Sequence, residues 1–222
     1  MENSLSHSSH LTQLKGVGPK VQEKLSKLGL NVVQDVLFHL PYRYEDRTHI
    51  ISIAALRHGQ SALIEGTIES ANIAFTRKGK SRRMLIVQLA DASGSVTLRF
   101  FYFNRQQQGA LVVGTKLRCF GDVRYGVSSL EIVHPEYSTI TSQTTAPIEK
   151  SLTPVYHTVD GVSQILLRRL SEQCLELLSL NTVLPDYLTS NLFEQEKYYS
   201  LSNALIYVHR PPADAHVGQL VE

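Results

Sequence analysis

The chain has 222 residues, with 22 Lys or Arg, 20 Asp or Glu and a net charge of +2. At 42% hydrophobic and 19% charged it is too apolar for a disordered tail, and no uncharged apolar run approaches the ~18–20 residues that span a bilayer. Cys119 and Cys174 are the only cysteines, which excludes a disulfide scaffold or a cysteine-built zinc site and fits a reducing, cytoplasmic setting; Met1–His10 also lacks the basic-then-apolar pattern of a secretory signal.

Residues 1–10 are polar and rich in Ser and His. Leu14, Val17, Val21, Leu25 and Leu28 then recur at spacings of three and four, which predicts an amphipathic helix or helical pair. Gly16-Val17-Gly18-Pro19 places a tight turn in it, Pro19 opens the next helix, and Gly29 closes it. A second helical run, Val32 to Leu40, stops at Pro41.

The period changes over residues 61–140. Strands are predicted at Ala62–Phe75, Met84–Asp91, Val96–Phe103, Lys116–Arg124 and Leu130–Tyr137, separated by turn signals. In the third strand Val96, Leu98, Phe100 and Tyr102 fall on one face, and Thr97, Arg99, Phe101 and Phe103 on the other. A short non-strand stretch, Asn104–Gly114, follows. Five strands with a helical insert after the third match the OB-fold, a small Greek-key barrel. Residues 141–150 have linker composition. Val162, Leu166, Leu170, Cys174 and Leu177 mark an amphipathic helix over 162–180, and Leu201–His209 a shorter one ended by Pro211-Pro212. The expected class is α+β: a helical region over 1–60, a barrel over 61–140, a linker over 141–150 and a helical connector over 151–222.

Divided along the chain, the charge is uneven. Residues 1–60 carry seven basic and five acidic side chains, residues 61–120 nine and three, and residues 121–222 six and twelve. The basic middle points to a polyanion partner. Arg77, Lys78, Lys80, Arg82 and Arg83 crowd the loop between the first two strands, which borders the oligonucleotide-binding face of an OB-fold. They bind phosphates or tip a solvated hairpin, and composition leaves both open. The outward alternation of the third strand sets Arg99, Phe101 and Phe103 on one surface. The same alternation in the fourth strand adds Lys116, Arg118, Phe120 and Arg124. Aromatics interleaved with cations make a single-strand-binding surface, by stacking on bases and neutralising phosphates. The bland alternative is that packed helices cover Phe101 and Phe103.

Other motifs carry less. Leu14–Lys20 fits a helix-hairpin-helix phosphate clasp and a simple packing corner about equally. Gly109–Lys116 is no phosphate loop, since Thr115 precedes Lys116 and the segment leads into a strand. The nine histidines include no HxH or HExxH spacing, and no metal site or catalytic constellation is expected.

The strings LKGVGPKVQEKLSKLGLNVVQDVLFHLPYRYEDRT (Leu14–Thr48), ALIEGTI (Ala62–Ile68), LADASGSVTLRFFYFN (Leu89–Asn104), GDVRY (Gly121–Tyr125), IVHPEY (Ile132–Tyr137), LTPVYHTVDGVSQILLRRL (Leu152–Leu170) and ALIYVHRPP (Ala204–Pro212) resemble, in order, the opening region of the RecG family of DNA helicases. The resemblance implies an ATP-driven DNA translocase that remodels stalled forks and Holliday junctions in repair and recombination. Its front part would be an OB-fold wedge that splits the arms. It also implies that Phe101 is the aromatic that stacks on unpaired bases. A second stacking position of the family falls at Asn104 and Arg105, so Phe103 is the candidate to replace it. Walker A and DExx motifs are absent, so ATP and Mg are expected only in motor domains outside this chain, and no cofactor is expected within it. The implied partners are branched and single-stranded DNA and the motor domains, with the chain monomeric. A competing reading takes the Phe/Arg face as a protein-docking surface, for single-stranded-DNA-binding protein or for the motors.

Overall fold

A computed structural model of the protein describes residues 6, 8–75, 83–127, 129–141, 148–179, 184 and 199–215. The chain divides into two compact units, Asp46–Glu149 and Met1–Glu45 with Lys150–Glu222.

The first unit is a closed barrel. Its strands are β2 (Ser61–Phe75), β3 (Arg83–Ala90), β4 (Ser95–Phe100), β5 (Lys116–Tyr125), β6 (Leu130–Val133) and β7 (Glu136–Thr139). The sheet order is β2-β3-β4-β6-β5-β7, and β2 also pairs with β5, which closes the ring. β4 and β6 run parallel and the other pairs antiparallel. β2 is long enough to serve both neighbours. Ser61–Thr67 lies on β5 and Thr67–Phe75 on β3, with a register irregularity between Ile68 and Ser70. Gly66 sits at this handover, where a Cβ would stand 2.7 Å from the Ala90 carbonyl oxygen.

The predicted fifth strand, Leu130–Tyr137, is divided into β6 and β7. Both pair with β5, but three residues (133–135) oppose the two (121–122) between Phe120↔Glu136 and Val123↔Ile132. The bulge centres on His134, at φ 47°, and Pro135, which has no N–H for the ladder. The barrel therefore keeps the five-stranded OB order, with its last strand bent. Inward residues alternate as expected: Val96, Leu98 and Phe100 of β4 are buried, with Leu85, Val87 and Leu89 of β3 opposite them.

Alternation ends sooner than the sequence implied. β4 stops at Phe100, and Asn104 opens the short helix α3 (Arg105–Ala110). Asn104 Oδ1 accepts the Gln107 N–H at 2.7 Å, and Gln107 Oε1 accepts the Asn104 N–H at 3.3 Å. This reciprocal cap makes Phe101–Phe103 a turn instead of a strand end. Tyr102, expected in the core, is 72% exposed. At the β3–β4 hairpin, Asp91 accepts N–H groups from Ile53, Ser93 and Gly94. Burial pushes its carboxyl up, and these bonds outweigh that and bring it down to about 2.

The second unit is helical. A 3-10 turn (Leu11–Gln13) precedes α1 (Pro19–Ser26), with Pro19 at its first turn and Gly29 at φ 78° beyond it. The short α2 (Val33–Leu37) ends before Pro41, and β1 (Arg43–Glu45) pairs antiparallel with β8 (Thr153–Val155). α4 (Gln164–Ser179) and α5 (Leu201–His209) complete it. Leu167, Leu170, Cys174, Leu175 and Leu178 form the buried stripe of α4, while Leu166 and Leu177 lie at its margin. They share one apolar core with Leu11, Leu25, Val33, Leu37 and Leu205. The Leu14–Lys20 corner packs on α4: Gln173 Oε1 accepts the Lys15 N–H at 2.8 Å, and Arg169 donates to the Lys15 carbonyl at 2.8 Å. A polar knot lies inside this unit. The Tyr156 hydroxyl donates to Ser171 Oγ at 3.1 Å. His209 Nδ1 lies 2.9 Å from the Tyr156 hydroxyl, and His209 Nε2 lies 2.9 Å from the Leu37 carbonyl. Burial holds His209 below its ordinary pKa.

Candidate nucleic-acid interface

The outward face of β4 carries Thr97 and Arg99. Arg99 Nε donates to Glu131 Oε2 at 2.8 Å, and Arg124 Nε of β5 donates to Glu131 Oε1 at 3.0 Å. One buried carboxylate thus joins two arginines, one half-buried and one half-exposed, leaving a net charge of +1. Gly126 makes room for it, since a Cβ there would lie 2.7 Å from Glu131 Oε2. On β5 and its neighbour β2, Arg118 pairs with Glu65 at 2.7 Å. Lys116 is exposed. Arg99 and Arg118 are therefore not bare cations, as strand alternation alone implied.

Phe120 lies on the outward side of β5, as expected, but it is buried. The Arg47 guanidinium covers its ring at 4.0 Å and is itself fixed to Glu136 at 2.7 Å. Phe120 is thus withheld from stacking by a cation from the segment before the barrel, which periodicity within β5 cannot reveal.

At the end of β4 the chain turns outward. Phe101 is 38% exposed and Tyr102 72%. Both rings lie against His134 of the β6–β7 bulge, at centroid distances of 5.9 and 5.7 Å, the Tyr102 pair stacked. Strand alternation sets Phe103 beside Phe101 on the outward surface. It instead turns back, half-buried against the barrel core, with Arg83 over its ring at 5.3 Å. The α3 cap reverses its direction.

Arg83 is exposed at the start of β3. Arg77, Lys78, Lys80 and Arg82 lie outside the described residues. Gly79-Lys80-Ser81 in this run is no Walker A loop, because Ala74 stands where that motif has its first glycine. Across the barrel, Tyr125 is 73% exposed and stacks on His58 at 4.8 Å. Sequence reading missed Tyr102, Tyr125, His134 and Arg47. An aromatic at a hairpin tip was the available signal for Tyr125, and the His-Pro pair was the signal for the bulge. Among the described residues no group of His, Cys, Asp or Glu could hold a metal ion, and no helix is long and apolar enough to cross a membrane.

A closed barrel in OB order, with an outer face of arginine–carboxylate pairs and a tip of exposed aromatics, defines an OB-fold module. A helical unit built from both ends of the chain accompanies it. The family model for the RecG wedge domain matches residues 10–178, and the chain belongs to that family. It is 41% identical over 213 residues to the ATP-dependent DNA helicase RecG of Haemophilus influenzae, covering 95% of this chain and 29% of that protein. It is 38% identical over 223 residues to the protein of that name from Escherichia coli O127:H6, covering 99% of this chain and 31% of that protein. The chain therefore spans about 30% of the length of these relatives. A solved structure of RecG bound to a three-way DNA junction superposes with a TM-score of 0.73 at 25% identity, over 96% of this chain and 28% of that one.

Proposed function

We propose that this chain binds branched DNA, at replication forks and Holliday junctions, and acts as the strand-separating wedge of a RecG-type ATP-dependent helicase. Phe101 caps the first unpaired base where the arms part. The basic run Arg77–Arg83, with Lys116 and the paired Arg99 and Arg118, holds phosphates. ATP hydrolysis and translocation belong to other parts of the longer protein, so this segment contributes separation and not force. The observation that carries the reading is the aromatic tip at the end of β4, where Phe101 and Tyr102 are exposed while Phe100 points into the core and Phe120 is covered by Arg47. An apolar ring left in water at such a tip is accounted for by a base that covers it, worth ~1–3 kcal/mol. The family membership and the junction-bound relative support the same reading.

The test is fluorescence anisotropy of the chain with a labelled three-way junction and with linear duplex. The wild type is expected to prefer the junction. Phe101→Ala is expected to lower that preference roughly tenfold and leave duplex affinity unchanged. Equal preference in the two proteins would remove Phe101 from the mechanism.

A further inference from the structure

We infer that His134 is the positioning residue of this tip, a latch on the β6–β7 bulge that sets the orientation in which Phe101 meets a base. The inference rests on the role proposed for Phe101. Three observations carry it. First, the backbone of His134 is at φ 47°, a left-handed conformation that residues other than glycine rarely adopt and that persists only where the surroundings hold it. Second, His134 bridges the end of β4 at two points. Its N–H donates to the Arg99 carbonyl at 2.9 Å, and its Nε2 accepts the Phe101 N–H at 3.2 Å. Third, its ring touches three successive aromatics, Phe100 edge-on at 6.1 Å, Phe101 tilted and Tyr102 stacked. A bulge needed only to bend the last strand has no use for such a ring. One that must fix a turn in space does.

The contact is selective for the neutral imidazole. Accepting at Nε2 requires a lone pair there, so the proton sits on Nδ1, and protonating Nε2 ends the bond to Phe101. Burial, and after it the Arg124 charge, keep His134 below its ordinary pKa. The groups facing it are Phe100 on β4, Phe101 and Tyr102 beyond it, and Arg124 on β5, itself paired with Glu131 on β6. On β7 the first acid, Glu136, is engaged by Arg47.

The experiment compares His134→Gly, His134→Gln and Phe101→Ala in the whole 222-residue chain, against three-way junction and linear duplex. Glycine accepts the positive φ, so His134→Gly keeps the bulge and removes only the ring. It is expected to bind duplex like the wild type while its junction preference falls roughly three- to fivefold, part of what losing the stack itself removes. Glutamine offers a carbonyl oxygen to the Phe101 N–H and is expected to restore most of the preference. In the wild type the preference is expected to fall as pH drops below about 6.5, while His134→Gly stays level. If His134→Gly keeps full preference while Phe101→Ala loses it, the latch is wrong and the wedge reading stands. If Phe101→Ala also keeps it, both fall. Should His134→Gly not fold, His134→Asn, which also tolerates a positive φ and lacks the ring, takes its place, and full junction preference in that variant overturns the latch.

Discussion

The two units differ in where their most connected polar groups lie. The helical unit turns them inward: Tyr156, Ser171 and His209 close a knot around the Leu37 carbonyl. The barrel turns them outward: Glu131 joins Arg99 and Arg124 on the strand face, and Glu65 meets Arg118. The residues of the barrel unit include twelve basic and eight acidic side chains, a net of +4, whereas the helical unit has ten and twelve. The inward bonds serve stability. Outward pairs hold cations in fixed positions at a surface, where a polyanion can use them. Under the proposed function, the helical unit is the scaffold and the barrel the interface.

The largest expected effect tests whether the outer pairs are part of the fold as well as the interface. Glu131→Ala leaves two arginines beside an emptied, buried position, and denaturant unfolding is expected to show a loss of about 3 kcal/mol. The same variant should bind duplex DNA more tightly, with a steeper salt dependence, because two cations lose their carboxylate. A stable variant with unchanged salt slope would show that the triad belongs to neither role.

Next in size is the buried knot. His209→Phe strands the Leu37 carbonyl and removes the ring nitrogen shared by the Tyr156 and Ser171 hydroxyls, and should cost about 2 kcal/mol, with no change in DNA binding. The folded-state pKa of His209 is depressed, so its neutral form's contribution is complete above the ordinary value of about 6.5 and shrinks as pH falls below it. Thermal melts from neutral to acid pH should thus fall more steeply in the wild type than in His209→Phe.

Smaller in free energy, but sharper for function, are the changes at the tip, Phe101→Ala foremost. They should move junction preference and leave stability alone. The smallest expected effect is that of Arg82→Glu with Arg83→Glu. Binding to all DNA should weaken evenly, and the salt slope should become shallower by about 0.9 for each phosphate no longer neutralised. An unaltered slope would take that loop out of the interface.

Periodicity alone carried a large part of the architecture. Helix α1 with Pro19 at its start, the Gly29 stop, the alternation of Val96, Leu98 and Phe100, and the ends of β2 and β3 to within one residue were all legible, because each depends on residues a few positions apart. The matched strings then named the family. What the sequence left open depends on partners far along the chain. Phe120 reads as an outward aromatic until Arg47 is seen over it. Arg99 reads as a bare phosphate ligand until Glu131 meets it, 32 residues on. Tyr102 and Phe103 exchange their expected roles because the Asn104–Gln107 cap ends the strand early, and a two-residue alternation carries no information about where it stops. The joining of both chain ends into one helical core is likewise a matter of packing between segments more than a hundred residues apart. Local pattern determined which elements form and which faces are apolar. Only the tertiary structure decided which of the outward side chains are covered, which are paired, and which remain open to solvent.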